Sequence, residues 1–346
     1  MPDDKPPLRI GLIGCGRVAS YGHLPAIAAT PGLELSAICD PDVDRLDQVR
    51  QQFGVPDVFE DPEALCAHDL DAVAITSPMP YHAEHVRFAA RHGRHVLCEK
   101  PLADDESQAK EMIDQMARAR RLLAVGFTYR FSPVAMTIKK LIQQNAIGQA
   151  RSLRLIYVWD CHGRYNRRDE PNSGVQQRRL ERMNEGGPLI DCGVHQIDLA
   201  RWWLDQEVTR YSAHGIWVED HRNPDHLYLH MQHERGAHST VEVSYSYGHT
   251  AKDRASRFTY DIIGTEGLIR FDREHKLFEL RTAQGVTALP WAGEKSFVNM
   301  YAAFRDAIVH GRDTHLATGQ DGLIATRLAT EATLAARGHR PNGPAA

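Results

Sequence analysis

The sequence has no cysteines at paired spacing, no long apolar run and almost no charge imbalance, and each shortage removes a class of protein. Its six cysteines, Cys15, Cys39, Cys66, Cys98, Cys161 and Cys192, stand singly, with neither CxxC nor zinc-type spacing. Neither a disulfide framework nor a structural zinc site is therefore expected. Most of them lie in or beside apolar runs, where a thiol behaves as a small buried hydrophobe. No segment approaches the roughly 20 apolar residues of a membrane helix. The opening MPDDKPPLRI has no apolar signal region, so a cytoplasmic location is expected. The 41 Lys+Arg nearly cancel the 45 Asp+Glu, leaving −4. No global field gathers nucleic acid or an anionic membrane, so any basic patch would have to be local. Internal repeats and low-complexity tracts are also missing; only the final RPNGPAA reads as a tail.

What is present is an ordinary folded composition, 42% hydrophobic and 25% charged, on a chain long enough for two domains of about 150 residues. In the first third, short apolar runs (RIGLI, LELSAIC, DAVAIT, HVLC, LLAVGFT) alternate with segments of helical spacing such as YHAEHVRFAARHG. Strands apolar on both faces, separated by helices, predict a doubly wound parallel sheet, an α/β domain over 1–128. Beyond about residue 149, longer alternating runs and hairpin-type turns (ERGA, GTEG) predict a mostly antiparallel open sheet with a helix on one face. This is an α+β domain within 129–346 whose last two helices can pack back on the first domain. The polar, arginine-rich stretch 160–187 reads as a long loop, and loops of that length in compact domains are more often functional than idle.

RIGLIGCGRVASYGHLPAI sets Gly14, Gly16 and Ala19 in a GxGxxA turn between strand and helix. Such a turn lets the backbone approach a pyrophosphate at a helix N-terminus, where Arg17 and Val18 also sit. The next strand ends in Asp40, at the spacing of an acid that binds an adenosine ribose and repels a 2′-phosphate, which favours NAD over NADP. Arg45, a turn into the following helix, leaves room for NADP, and Asp40 could instead be a helix cap, a task open equally to Asp42.

Two further stretches carry charge where charge is expensive. HVLCEKPLAD ends an apolar strand on Glu99 and Lys100 with Pro101 behind, at the carboxyl end of a parallel strand, where open α/β sheets bind ligands. GGPLIDCGVHQIDLARWWL predicts one helix over 188–204 that puts Asp191, His195 and Asp198 on one stripe of a largely apolar cylinder. The stripe is open to three readings: a structural Asp–His pair, a metal site lacking an identifiable third ligand, or an acid–base pair with His195 titrating near neutrality. The third is slightly favoured.

In succession, the GxGxxA turn, the acid after the second strand, EKP and DxGxHxxD resemble the glucose-fructose oxidoreductase/inositol dehydrogenase (Gfo/Idh/MocA) family over most of the chain. The resemblance implies a Rossmann domain, a bound nicotinamide nucleotide, and oxidoreduction of a sugar, cyclitol or related polyol. It implies Lys100, Asp191 and His195 as catalytic residues, a cis Lys100–Pro101 bond, and Ser77, His82, Glu99 and Lys100 near the nucleotide. Tyr129 and Arg130 should line the cleft beside the substrate. The segment 159–185, with Trp159, Asp160, His162, Arg164, Tyr165 and Arg178, departs from known patterns where the family reaches over its substrate. The resemblance also implies a homodimer or homotetramer through the face of the C-terminal sheet. An alternative with the same parts is NAD-dependent glycoside cleavage by transient oxidation, elimination and re-reduction. A nucleotide-binding regulator is disfavoured because all three catalytic types are present.

Overall fold

A computed structural model of the chain describes residues 6–159, 175–248, 251–253, 255–311 and 315–340, with backbone alone for 175–179. The chain divides into two compact units, one running to Phe131 and taking in Lys295–Ile324, the other formed by Ser132–Glu294 and the chain from Ala325 on.

The first unit is built on β1 (Leu8–Ile13), β2 (Leu33–Cys39), β3 (Asp57–Phe59), β4 (Ala72–Ile75), β5 (His95–Cys98) and β6 (Leu123–Val125). All pair in parallel, in the order β3-β2-β1-β4-β5-β6. The order reverses between β1 and β4, and ligands bind at such switch points, beyond the carboxyl ends of the strands. The apolar runs are central strands for a simple reason: Ile10, Leu12, Val73, Ile75, Val96 and Leu97 are fully buried, since helices cover both faces. The helix after β2 is capped by Asp42, whose carboxylate accepts from Arg45 N, so the cap is Asp42 and Asp40 is left for another task. The core continues into the returned segment through Met300, Tyr301 and Phe304. Burial pushes the thiols of Cys15, Cys39 and Cys66 up to about 12, so these cysteines are inert apolar filling.

The second unit carries β7 (Ala150–Val158), β8 (Val208–Ile216), β9 (His226–His233), β10 (His238–Ser244), β11 (Arg257–Gly264), β12 (Gly267–Asp272), β13 (Leu277–Thr282) and β14 (Gly285–Ala288). They form one sheet, ordered β14-β13-β12-β11-β7-β10-β9-β8, antiparallel except for β7 with β10. Its inner face is an aromatic layer in which Trp203 meets Tyr260 edge-on at 5.0 Å.

Two expectations are corrected. The stretch 160–187 is not all loop, because Val175–Asn184 is a helix whose Met183 is buried. The single helix over 188–204 is a π-helical turn, Leu189–Gly193, leading into an α-helix, Val194–Leu204.

Candidate active site

Because the first sheet is parallel, its strand ends share one edge. β2 runs into Asp40, β1 into Gly14, β4 into Ser77, and β5 into Glu99 and Lys100, and these strands are neighbours in the order β2-β1-β4-β5. Gly14 has φ +94°, and a Cβ there would lie 2.6 Å from Ser77 N, so only glycine lets β1 turn this close to β4. At Gly16 a Cβ would meet no protein atom within 4 Å, an open cradle that any side chain would fill and that suits a phosphate at the helix N-terminus. Arg17 is exposed and Val18 half-buried beside it. The Asp40 carboxylate is buried and accepts from Cys15 N at 2.7 Å and Asp42 N at 3.0 Å, while Arg45 Nη1 lies 3.1 Å from it. It therefore braces the glycine turn, with Arg45 as its counter-ion.

The EKP turn rests on a buried chain of side chains. The Lys100–Pro101 bond is cis, as the resemblance implies. Glu99 Oε1 lies 3.0 Å from His23 Nε2, and His23 Nδ1 lies 2.7 Å from the Tyr301 hydroxyl. Burial alone would raise the Glu99 pKa, but the His23 hydrogen bond and the charges of His23, Lys100 and His82 hold it below the ordinary value. His82, fully enclosed, spans two loops, with Nε2 2.9 Å from Ser77 O and Nδ1 3.0 Å from Pro101 O. Ser77 Oγ in turn meets His85 Nδ1 at 2.9 Å.

Tyr129 and Arg130 follow β6 in a buried turn. Arg130 is only 3% exposed. Its guanidinium reaches Asp321 at 3.4 Å and the His315 carbonyl at 3.3 Å. It anchors the returned segment. Tyr129 is likewise buried, under the Lys295 ammonium at 5.2 Å.

In the second unit Asp191 lies in the π turn, and His195 and Asp198 follow in the α-helix, both buried. Asp191 Oδ2 accepts a short hydrogen bond from the hydroxyl of Tyr245 and faces Arg182 Nε at 3.5 Å. Trp159 lies edge-on to Tyr245 at 5.9 Å and beneath the Arg182 guanidinium at 5.9 Å. Asp160, His162, Arg164 and Tyr165 lie outside the described residues, as does the side chain of Arg178. His23, Tyr301, Tyr245 and Arg182 were not singled out from sequence. The one available hint was the density of arginines around Arg182.

Comparison with known proteins places the two units in a family. Residues 8–127 match an oxidoreductase family with an NAD-binding Rossmann fold, and residues 135–270 match the GFO/IDH/MocA C-terminal domain. The chain is 34% identical over 212 residues to D-glucoside 3-dehydrogenase of Escherichia coli, a match covering 61% of this chain and only 58% of that relative. It is 28% identical to scyllo-inositol 2-dehydrogenase (NAD+) of Bacillus subtilis over 76% of this chain and 73% of the relative. Among solved structures, an oxidoreductase from Agrobacterium radiobacter in complex with NAD+, L-tartaric acid and magnesium is similar at TM-score 0.80 and 26% identity, covering 96% of this chain and 97% of the other.

Proposed function

The chain belongs to the GFO/IDH/MocA oxidoreductase family, with an NAD-binding Rossmann domain, and from that premise we propose that it oxidises a secondary alcohol of a sugar or cyclitol. The observation that carries the reading is the run of strand ends, Asp40, Gly14, Ser77 and Glu99–Lys100, along one edge of adjacent parallel strands. Gly14, Gly16, Arg17 and Val18 hold the pyrophosphate, and Ser77 and Glu99 belong to the nicotinamide end. Asp40 favours NAD, since its carboxylate repels a 2′-phosphate and Arg45 is already engaged with it.

NAD, when bound, supplies the hydride acceptor. Lys100 donates a hydrogen bond from Nζ to the alcohol oxygen as negative charge develops there. His195 takes up the hydroxyl proton, a contribution of about 10²- to 10⁴-fold. Asp191, as a carboxylate, balances the positive charge of the protonated partners. Trp159 belongs to the substrate side with Asp191 and His195. Lys100→Ala and His195→Ala should each abolish turnover while leaving the NAD dissociation constant within about threefold; wild-type-like turnover in either would sink the assignment. The enzyme is tested on D-glucosides, inositols and sugar acids with NAD, following NADH and released aglycone together. NADH from an intact polyol supports a dehydrogenase, whereas cleavage without net NADH would replace it by the redox-neutral reaction.

We also propose self-association through the outer face of the second sheet. Helix Val194–Leu204 packs on the other face, against β7 and β10. Arg154, Asp261 and Arg270 stand in register across β7, β11 and β12, and Glu279 beside them on β13 is buried against Arg281. A row of alternating sign can meet an inverted copy of itself. Light scattering that returns a monomer mass would refute this.

A further inference from the structure

Asp191 carries an arrangement that the DxGxHxxD pattern does not announce. Tyr245, directly after β10, is fully buried. Its backbone N–H donates to Asp225 O at 2.9 Å, and its ring is fixed against Trp159, so the phenol has one direction in which to point. That direction is Asp191 Oδ2. The same oxygen faces Arg182 Nε at 3.5 Å, from helix Val175–Asn184, and the Cys192 thiol at 3.7 Å. Asp191, Cys192 and Arg182 are among the groups that act electrostatically on Tyr245. Burial, and then the Asp191 charge, push the phenol well above its ordinary value, so it stays protonated and acts as a donor.

We propose that Tyr245 is a positioning residue for the reaction, a phenol that ties Asp191 by Oδ2, keeps it a carboxylate and fixes the orientation of its second oxygen, with Arg182 as the supporting charge. This rests on the reading of Asp191 as part of the proton-transfer machinery. A hydrogen bond and a cation on one carboxylate oxygen both favour the ionised form. Asp191 therefore enters catalysis as a fixed negative charge rather than as an acid. One oxygen held by Tyr245, 54 residues along the chain, and faced by Arg182 restricts the rotation of the group, which is what a site must supply to keep a base or its partner aligned.

The test uses the full chain with NAD and either scyllo-inositol or methyl β-D-glucoside, whichever the wild type turns over faster. Tyr245→Phe should lower kcat about tenfold. It should also raise the pKa of the acid limb of kcat/KM by about one unit and leave KM for NAD unchanged. Without substrate, the difference in urea midpoint between wild type and Tyr245→Phe should narrow as pH falls through the carboxylate range, because the hydrogen bond is stronger to the ionised form. An unshifted acid limb together with a midpoint difference independent of pH would overturn the proposal. If Tyr245→Phe does not fold, Arg182→Gln, at a half-buried side chain, carries the same pH test in the same direction. Asp191→Asn separates the two ideas. Wild-type turnover there refutes the reading of the site, whereas lost turnover in Asp191→Asn with an unmoved profile in Tyr245→Phe refutes the positioning role alone.

Discussion

Tyr301→Phe isolates a single hydroxyl in the chain that supports the EKP turn. Tyr301 and His23 are both fully buried. Glu99 is held ionised and can only accept, so His23 carries a proton on Nε2, and its Nδ1 shares a hydrogen bond with the Tyr301 hydroxyl. The substitution keeps the ring, which meets His23 edge-on at 5.7 Å, and therefore keeps the packing. What it removes is the hydroxyl partner of a fully buried ring nitrogen. Leaving a buried polar atom unpaired costs about 1–3 kcal/mol. For a unit of this size that corresponds to a fall in melting temperature of about 2–4 °C per kcal/mol. Urea and thermal unfolding of the two proteins at neutral pH measure it directly, with NAD present and absent. A change within about 0.3 kcal/mol would mean that the hydroxyl contributes nothing there and that the chain Tyr301–His23–Glu99 is not a unit.

The two glycines of the turn should separate stability from binding. Gly14→Ala drives a Cβ to 2.6 Å from Ser77 N at a positive φ, so both the unfolding midpoint and NAD binding by calorimetry should fall. Gly16→Ala meets no protein atom, so stability should stay within about 0.5 kcal/mol while NAD binding is lost; retained binding would refute the cradle. Acid should destabilise the fold well before its carboxylates titrate. Burial lowers His85 and His233 from 6.5 to about 4, so between those values the unfolded chain binds more protons. Stability is then full above pH 6.5, falls as pH drops through the window, and has lost about 3 kcal/mol per histidine at its lower end. A urea midpoint that is flat from pH 7 to 5 would contradict this.

What could be read from the sequence was what repeats locally. The central strands announce themselves because burial on both faces demands continuous apolar residues, as in HVLC over β5. β3 is three residues long, and every residue of β14 is exposed, so neither leaves a hydrophobic signature. Helix Val175–Asn184 hides because its sequence, VQQRRLERMN, is mostly charged and amide side chains. In the site, Gly14, Asp40 and Lys100 are legible because each is tied to a strand end. His23, Tyr301 and Tyr245 are not, because their meaning lies in partners 76, 278 and 54 residues away.

The regularity of the helix is where the sequence period and the structure differ. A strict advance of 100° per residue puts Asp191, His195 and Asp198 on one stripe, but Leu189–Gly193 is a π turn, which is wider and advances each residue by less. Asp191 meets Tyr245 and Arg182, while His195 and Asp198 lie on the buried α-helix that follows. The same device stands in the first unit. Ala19–His23 is a π turn, with Leu24 N donating to Ala19 O, and it carries His23 to Glu99 before the α-helix resumes. Each π turn follows closely on glycines, Gly14 and Gly16 in one case and Gly186 and Gly187 in the other, and each runs straight into an α-helix with a buried face. A helix has one phase, and a packed core fixes it. An inserted wide turn gives its own residues a second phase, so a polar group can address the site while the helix behind it keeps its apolar face in the core. Two units of unrelated topology both use it, at the residue that holds Glu99 and at Asp191 itself, the two carboxylates that the proposed function places at the nicotinamide and at the substrate.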